Sequence, residues 1–166
     1  DLFLGQTTRC HYDVDVVVAR QDQVVLQQYL ADRGWRFATY LEGKLDPWPL
    51  HMRLELPRHQ VHAHRADAFI DFLLTDIKDG IWRYRREPSI VQSVERTILQ
   101  TADGLCFLAP ELVLLFKSKN TSNHERAKDQ ADFERIYPHL DRARRAWLYW
   151  ALLTLAPQHP WLALLS

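Results

Sequence analysis

Cysteine, methionine, net charge and long apolar runs are what this sequence has little of. Two cysteines in 166 residues, Cys10 and Cys106, are too few for a disulfide framework and suit a reducing compartment, so a cytoplasmic protein is expected. Lys and Arg together number 21, as do Asp and Glu, so the formal net charge is zero. That balance gives no electrostatic case for a nucleic-acid or membrane partner, and a small-molecule substrate fits better. No apolar run approaches the roughly 20 residues of a membrane span. The single methionine is Met52, so the sequence is expected to start part-way into a longer chain.

What is present reads as globular: 47% hydrophobic and 25% charged residues, enough for one large domain or a domain with a helical appendage. The stretch Arg9-Cys10-His11-Tyr12-Asp13-Val14-Asp15 runs into Val16-Val17-Val18, a β-branched series that predicts a strand over about 13–19. Side chains alternate along a strand, so Asp13 and Asp15 are expected on one face. Paired carboxylates there suit a hard divalent cation, which takes oxygen ligands and keeps substrate phosphates in its shell. By itself an Asp-x-Asp equally describes a solvated strand end. A second carboxylate-bearing strand is predicted at 68–75, where Asp71 interrupts Ala-Phe-Ile and Phe-Leu-Leu-Thr. An acid in a buried strand needs a cation, a hydrogen-bond network or an exposed edge. Asp67, at the strand entrance, is the competing acidic position.

Residues 1–4 read as a last helical turn closed by Gly5, and Asp22 as the N-cap of a helix turning Val24, Val25, Leu26, Tyr29 and Leu30 inward and ending near Gly34. Trp35 to Tyr40 is the expected second strand. Pro47, Pro49 and Pro57 break up the next segment, where Leu50, Met52, Leu54 and Leu56 alternate as in a short strand. His59, His62 and His64 match no metal spacing and are expected to be solvated. Ile81 to Arg86 alternates apolar and basic residues, a half-buried strand whose Arg85 or Arg86 would bind phosphate if it lined a cleft. Short apolar segments at 98–99 and 105–108 flank a turn at Asp103-Gly104. Pro110-Glu111 opens a helix ending at Lys117, the stretch Arg126 to Phe133 begins another, and Asp141 caps a third over 142–156 that stops at Pro157.

Gly5, Thr8, Arg9, His11, Asp13 and Asp15 stand in the order and spacing of one motif, and here the chain resembles the polymerase-β-like nucleotidyltransferases, in particular their aminoglycoside and lincosamide branches. That family carries a Gly-Gly pair just ahead of the position of Asp1, expected here upstream of the given residues. Pro110-Glu111, Lys117 and Lys128-Asp129-x-x-Asp132-Phe133 also resemble the family. The resemblance implies that Asp13, Asp15 and Asp71 hold two magnesium ions, the third acid lying on a strand antiparallel and adjacent to that of Asp15. It also implies that Asp71 serves as general base, that Gly5, Thr8, Arg9 and Lys117 contact the nucleotide, that His11 orders the loop, and that Lys128 and Asp129 brace the helices.

The expected fold class is α/β of the α+β kind: a small mixed, largely antiparallel nucleotidyltransferase sheet flanked by helices over residues 1–109, with a helical segment over 110–166. The expected function is transfer of a nucleoside monophosphate from a nucleoside triphosphate to a hydroxyl of a small molecule, aminoglycoside-like antibiotics included. The alternative is a non-catalytic nucleotidyltransferase fold acting as a nucleotide-binding or toxin–antitoxin-type partner protein. The aromatic face of the last long helix, with Trp147 and Trp150, suits core packing or a homodimer surface.

Overall fold

A computed structural model describes residues 1–10, 14–119 and 123–166, with side chains of 123–126 outside the description. The chain forms two compact units, one of residues 9–91 and one of residues 1–8 with 92–166. The fold class is as expected, α+β: six α-helices are described and seven strands form one sheet, antiparallel but for a single pair.

In the sheet unit the elements are β1 (Asp15–Ala19), α1 (Gln23–Asp32), β2 (Arg36–Leu41), β3 (Lys44–Pro47), β4 (Gln60–Arg65), β5 (Ala68–Lys78) and β6 (Ile81–Arg83). The strands line up β3-β2-β4-β5-β6, and β1 lies beside β5. β4 and β1 both pair with residues 71–73 of β5, so they occupy its two opposite edges. The pleat then sorts side chains by parity. Val16, Val18, Phe37, Val61, Ala63, Ile70, Phe72 and Leu74 share a cluster with Leu30, Trp48 and Leu54. Burying each such side chain fully contributes about 1.5–3 kcal/mol, which pins the register, because a one-residue slip would turn the set to the opposite face.

Two local expectations are corrected here. Helix α1 turns Gln23, Gln27 and Leu30 inward, leaving Val25 and Tyr29 at 72% and 53% exposure. The glutamines are satisfied by backbone: Gln23 Nε2 donates to the carbonyls of Arg20 and Leu54, and Gln27 Nε2 to that of Pro49 at 2.7 Å, while His51 N donates to Gln27 Oε1. Those bonds hold the segment between β3 and β4, which is not the strand its alternating leucines suggest. Only Leu54 of that series is buried, and Leu50, Met52 and Leu56 are exposed.

β7 (Val91–Ser93) carries the chain from one unit to the other, followed by α2 (Val94–Thr97), β8 (Ile98–Gln100), β9 (Cys106–Leu108), α3 (Pro110–Lys117), α4 (Asn123–Ile136), α5 (Arg142–Leu155) and α6 (Leu162–Leu165). β8 and β9 form the antiparallel hairpin expected around Asp103-Gly104. Its end is tied to α2 through Ala109 N donating to Thr97 O at 2.8 Å, so the hairpin groups with the helices rather than ahead of a boundary at 109. Helix α3 buries Leu112, Leu114 and Leu115, and Asp141 caps α5 by accepting from Arg144 N at 2.8 Å. Trp161 stacks on Phe133 with ring centroids 4.2 Å apart, its indole N–H donating to Gln130 Oε1. Among the described residues no helix is long and apolar enough to cross a membrane.

Candidate functional site

Strand parity that buries Phe72 and Leu74 puts Asp71 on the opposite face of the sheet, and the register supplies its neighbours. Asp71 pairs directly with Asp15 of β1 on one side and with His62 of β4 on the other. Neighbouring strands run about 4.8 Å apart, so the two carboxylates share a face at nearest-neighbour spacing. The β1–β5 pairing is parallel, which corrects the antiparallel neighbour that the resemblance implies. The antiparallel neighbours of β5 are β4 and β6. A parallel pair needs a long crossover, and α1 with β2, β3 and β4 provides it.

Asp71 is mostly buried, its side chain 13% exposed, whereas Asp15 is exposed at the head of its strand. Gln60, two residues before His62 and on the same face, donates from Nε2 to Asp71 Oδ2 at 3.2 Å. His62 Nδ1 lies 2.8 Å from Asp71 Oδ1, yet the approach does not meet hydrogen-bond geometry, so Oδ1 is buried without a hydrogen bond. The His62 ring is held between Tyr40, at 5.2 Å between centroids, and Phe69, at 5.5 Å. The expectation of solvated histidines therefore fails for His62, which is wedged against the buried acid. His62 and Gln60 are the site residues that sequence reasoning missed, because their role rests on which residue of β5 they face.

The remaining expected site residues are distributed as follows. Asp13 and His11 lie outside the described residues. Arg9 Nη1 donates to Cys10 O at 3.1 Å. Gly5 closes a short 3-10 turn, Leu2–Leu4, with φ 66°, a left-handed conformation that favours glycine. Thr8 donates from its backbone N, at 3.1 Å, and from its hydroxyl to Asp1 Oδ1. Lys117, at the end of α3, is clamped by Asp129 Oδ1 and Asp132 Oδ2, each at 2.9 Å. Burial on its own would lower the Lys117 pKa, but the bonds to both aspartates outweigh it and hold the ammonium above the ordinary lysine value. Asp132 also meets Arg135 Nη1 at 3.2 Å. Gly5, Thr8 and Lys117 belong to the helical unit, and Arg9, Asp15 and Asp71 to the sheet unit.

Chemically, the Asp15–Asp71 pair is a set of hard oxygen donors with one buried oxygen not committed to a hydrogen bond, which fits a divalent cation. Among the described residues no three His, Cys, Asp or Glu side chains converge as a metal set. Compared with models of known families and with curated proteins, the chain matches none.

Proposed function

We propose that this chain is a metal-dependent nucleotidyltransferase that moves a nucleoside monophosphate from a nucleoside triphosphate to a hydroxyl group of a small molecule. The observation that carries the reading is the direct pairing of Asp15 with Asp71 on the face of the sheet away from the core. Like charges directly opposite destabilise a sheet by several tenths of a kcal/mol, a cost that a bound cation reverses. Asp13, two residues ahead of Asp15 in sequence, is the third oxygen donor of this reading. Magnesium held by these aspartates, two ions in the proposal, would supply charge neutralisation of the triphosphate.

Asp71 takes the proton of the acceptor hydroxyl as that oxygen bonds to the α-phosphorus and pyrophosphate leaves. Gln60, bonded to Oδ2, and His62, packed against Oδ1, hold the carboxylate in one orientation for that transfer. Arg9, in the same unit as Asp15 and Asp71, contacts the nucleotide in this reading. The cytoplasmic location and a homodimer through the C-terminal helices belong to the same proposal, the latter supported by Trp150 and Leu153, each 43% exposed on α5.

Calorimetric titration of magnesium-ATP and magnesium-GTP into wild type and an Asp15→Asn/Asp71→Asn double variant tests it. Metal-dependent binding that the variant loses is the expected result, and it leads on to screening hydroxylated acceptors, aminoglycosides first. Equal binding by both proteins, or none by wild type, overturns the proposal.

One observation favours the second reading, a nucleotidyltransferase fold used as a nucleotide-binding or toxin–antitoxin-type partner. Lys117, the lysine expected at the phosphates, is already neutralised by two aspartates. Under that reading the double variant retains its binding partner.

A further inference from the structure

The face of the sheet that carries Asp15 and Asp71 also carries rings. Parity along β5 puts Phe69 on that face with Asp71, and the register adds His62 and His64 of β4 and Arg36 and Tyr40 of β2. Leu45 of β3, the partner of Tyr40, shares it. The core fills the opposite face, so Phe69, Tyr40 and Leu45 remain 46%, 37% and 61% exposed. Single exposed apolar side chains are ordinary on a protein surface, whereas contiguous ones mark binding surfaces. These rings are contiguous. Tyr40 and Phe69 both pack on His62, with centroids 5.2 and 5.5 Å away, and His62 Nδ1 lies 2.8 Å from Asp71 Oδ1. A row of three rings thus crosses β2, β4 and β5 and meets the carboxylate proposed as general base.

The placement assigns the row a role. Asp15 lies across β5 from His62, so metal and triphosphate held between Asp15 and Asp71 leave the β4 and β2 side of Asp71 to the other substrate. By strand geometry the backbone of Phe69 is about 7 Å from that of Asp71 and the backbone of Tyr40 about 12 Å, the span of a molecule of one or two rings. Charge narrows it further. Among the described strand residues of this face Asp15 and Asp71 are the only acids, and both are committed to cations in the proposed reaction. Arg36, exposed and paired with His64 in the register, adds positive charge, which opposes a polycation.

Resting on the nucleotidyltransferase reading, we propose that Tyr40, His62 and Phe69 form the acceptor subsite and that the acceptor is an uncharged hydroxylated molecule with a flat apolar ring. An aryl glycoside is the simplest instance. Its ring stacks on the aromatic row and one of its sugar hydroxyls reaches Asp71. Aryl glycosides thereby move ahead of polycationic aminoglycosides among the acceptors to screen.

The test follows aromatic 13C–H resonances of the full chain during titration with phenyl β-D-glucopyranoside, without metal or nucleotide, and in parallel with kanamycin. Saturable ring-current shifts of the Phe69 and Tyr40 signals are expected with the glucoside, weakened about three- to tenfold in Phe69→Leu. Tyr29→Leu should leave them unchanged, because that exposed ring stands on α1. Phe69 is exposed, and an unchanged thermal midpoint for Phe69→Leu verifies that the fold is intact. A second titration adds magnesium and an ATP analogue with a methylene group between the α- and β-phosphorus, and the glucoside shifts are expected to persist. Displacement of the glucoside by the analogue makes the rings a seat for the nucleobase and overturns the proposal. So do tighter binding of kanamycin at the same rings, the absence of a saturable shift, and indifference to Phe69→Leu. Metal-dependent nucleotide binding that Asp15→Asn/Asp71→Asn loses, without glucoside stacking, sinks the acceptor class alone. Glucoside stacking with nucleotide binding indifferent to that double variant sinks the nucleotidyltransferase reading, and the acceptor role with it.

Discussion

Asp71 in the sheet unit and Asp132 in the helical unit are equally shielded, each with a side chain 13% exposed, but their neighbours differ in sign. Asp132 is met by Lys117 at 2.9 Å and Arg135 at 3.2 Å, and Lys117 also reaches Asp129. The charges close on one another, with hydrogen bonds to spare. Asp71 has a second carboxylate, Asp15, as its register partner, an amide on one oxygen and an imidazole against the other. Burial of a charge is tolerated in both places, but only the first is compensated by permanent cations. An acid in the first setting stabilises the fold, and one in the second is poised to take a cation or a proton.

Replacements that leave a buried acid without its cation sharpen that contrast most. Arg144 Nη1 donates to both carboxylate oxygens of Glu111, at 2.9 and 2.8 Å, and the Glu111 side chain is 2% exposed. Arg144→Met is therefore expected to cost about 3–5 kcal/mol by denaturant unfolding, because the buried charge is stranded. Lys117→Met leaves Asp129 and Asp132 facing each other, and a loss of about 2–3 kcal/mol is expected, reduced by the partial exposure of the lysine. The pH dependence has a definite sign. The folded-state pKa of Lys117 is raised, so its contribution is fully present below the unfolded value, near 10.5, and is lost as pH rises through the higher folded value. Wild type and Lys117→Met should thus converge in stability only in strongly alkaline solution.

Smaller effects follow where the acid is exposed or lacks a cation. Asp141 accepts from Arg144 N, which holds its carboxyl below the ordinary aspartate range, and Asp141→Ala should cost about 1 kcal/mol. That contribution is present above the unfolded pKa, near 3.8, and disappears as pH falls through the lower folded value. Asp71→Asn comes last: a change in stability within about 1 kcal/mol, toward stabilisation, since it removes a like-charge neighbour of Asp15. In the same variant, titration with manganese followed by electron paramagnetic resonance should show loss of divalent-ion binding. A large destabilisation by Asp71→Asn would erase the contrast with Asp132.

Local signals carried much of the fold. Pro110 with Glu111 marked the start of α3, Asp141 the cap of α5, Gly5 the left-handed turn after Leu4, and Asp103-Gly104 the turn of a hairpin, since each depends on groups a few residues apart. Helix α1 was legible as a helix, but its inward face was misread: Gln23 and Gln27 outrank Val25 and Tyr29 because nearby carbonyls satisfy their amides. The leucine alternation at 50–56 misled for a related reason, as hydrogen bonds to those glutamines hold that chain in turns.

By itself the sequence determined that Asp15 heads a β-branched strand and that Asp71 interrupts an apolar one, each needing a stated compensation. Only the tertiary structure decided that these strands are parallel neighbours, that Asp15 and Asp71 are in register, and that His62 and Gln60 close on Asp71 from the other edge. Strand pairing joins residues more than fifty positions apart, and its register is chosen by burial of Val16, Val61, Phe72 and Leu74 on the opposite face. The site's geometry is thus a by-product of where the core lies.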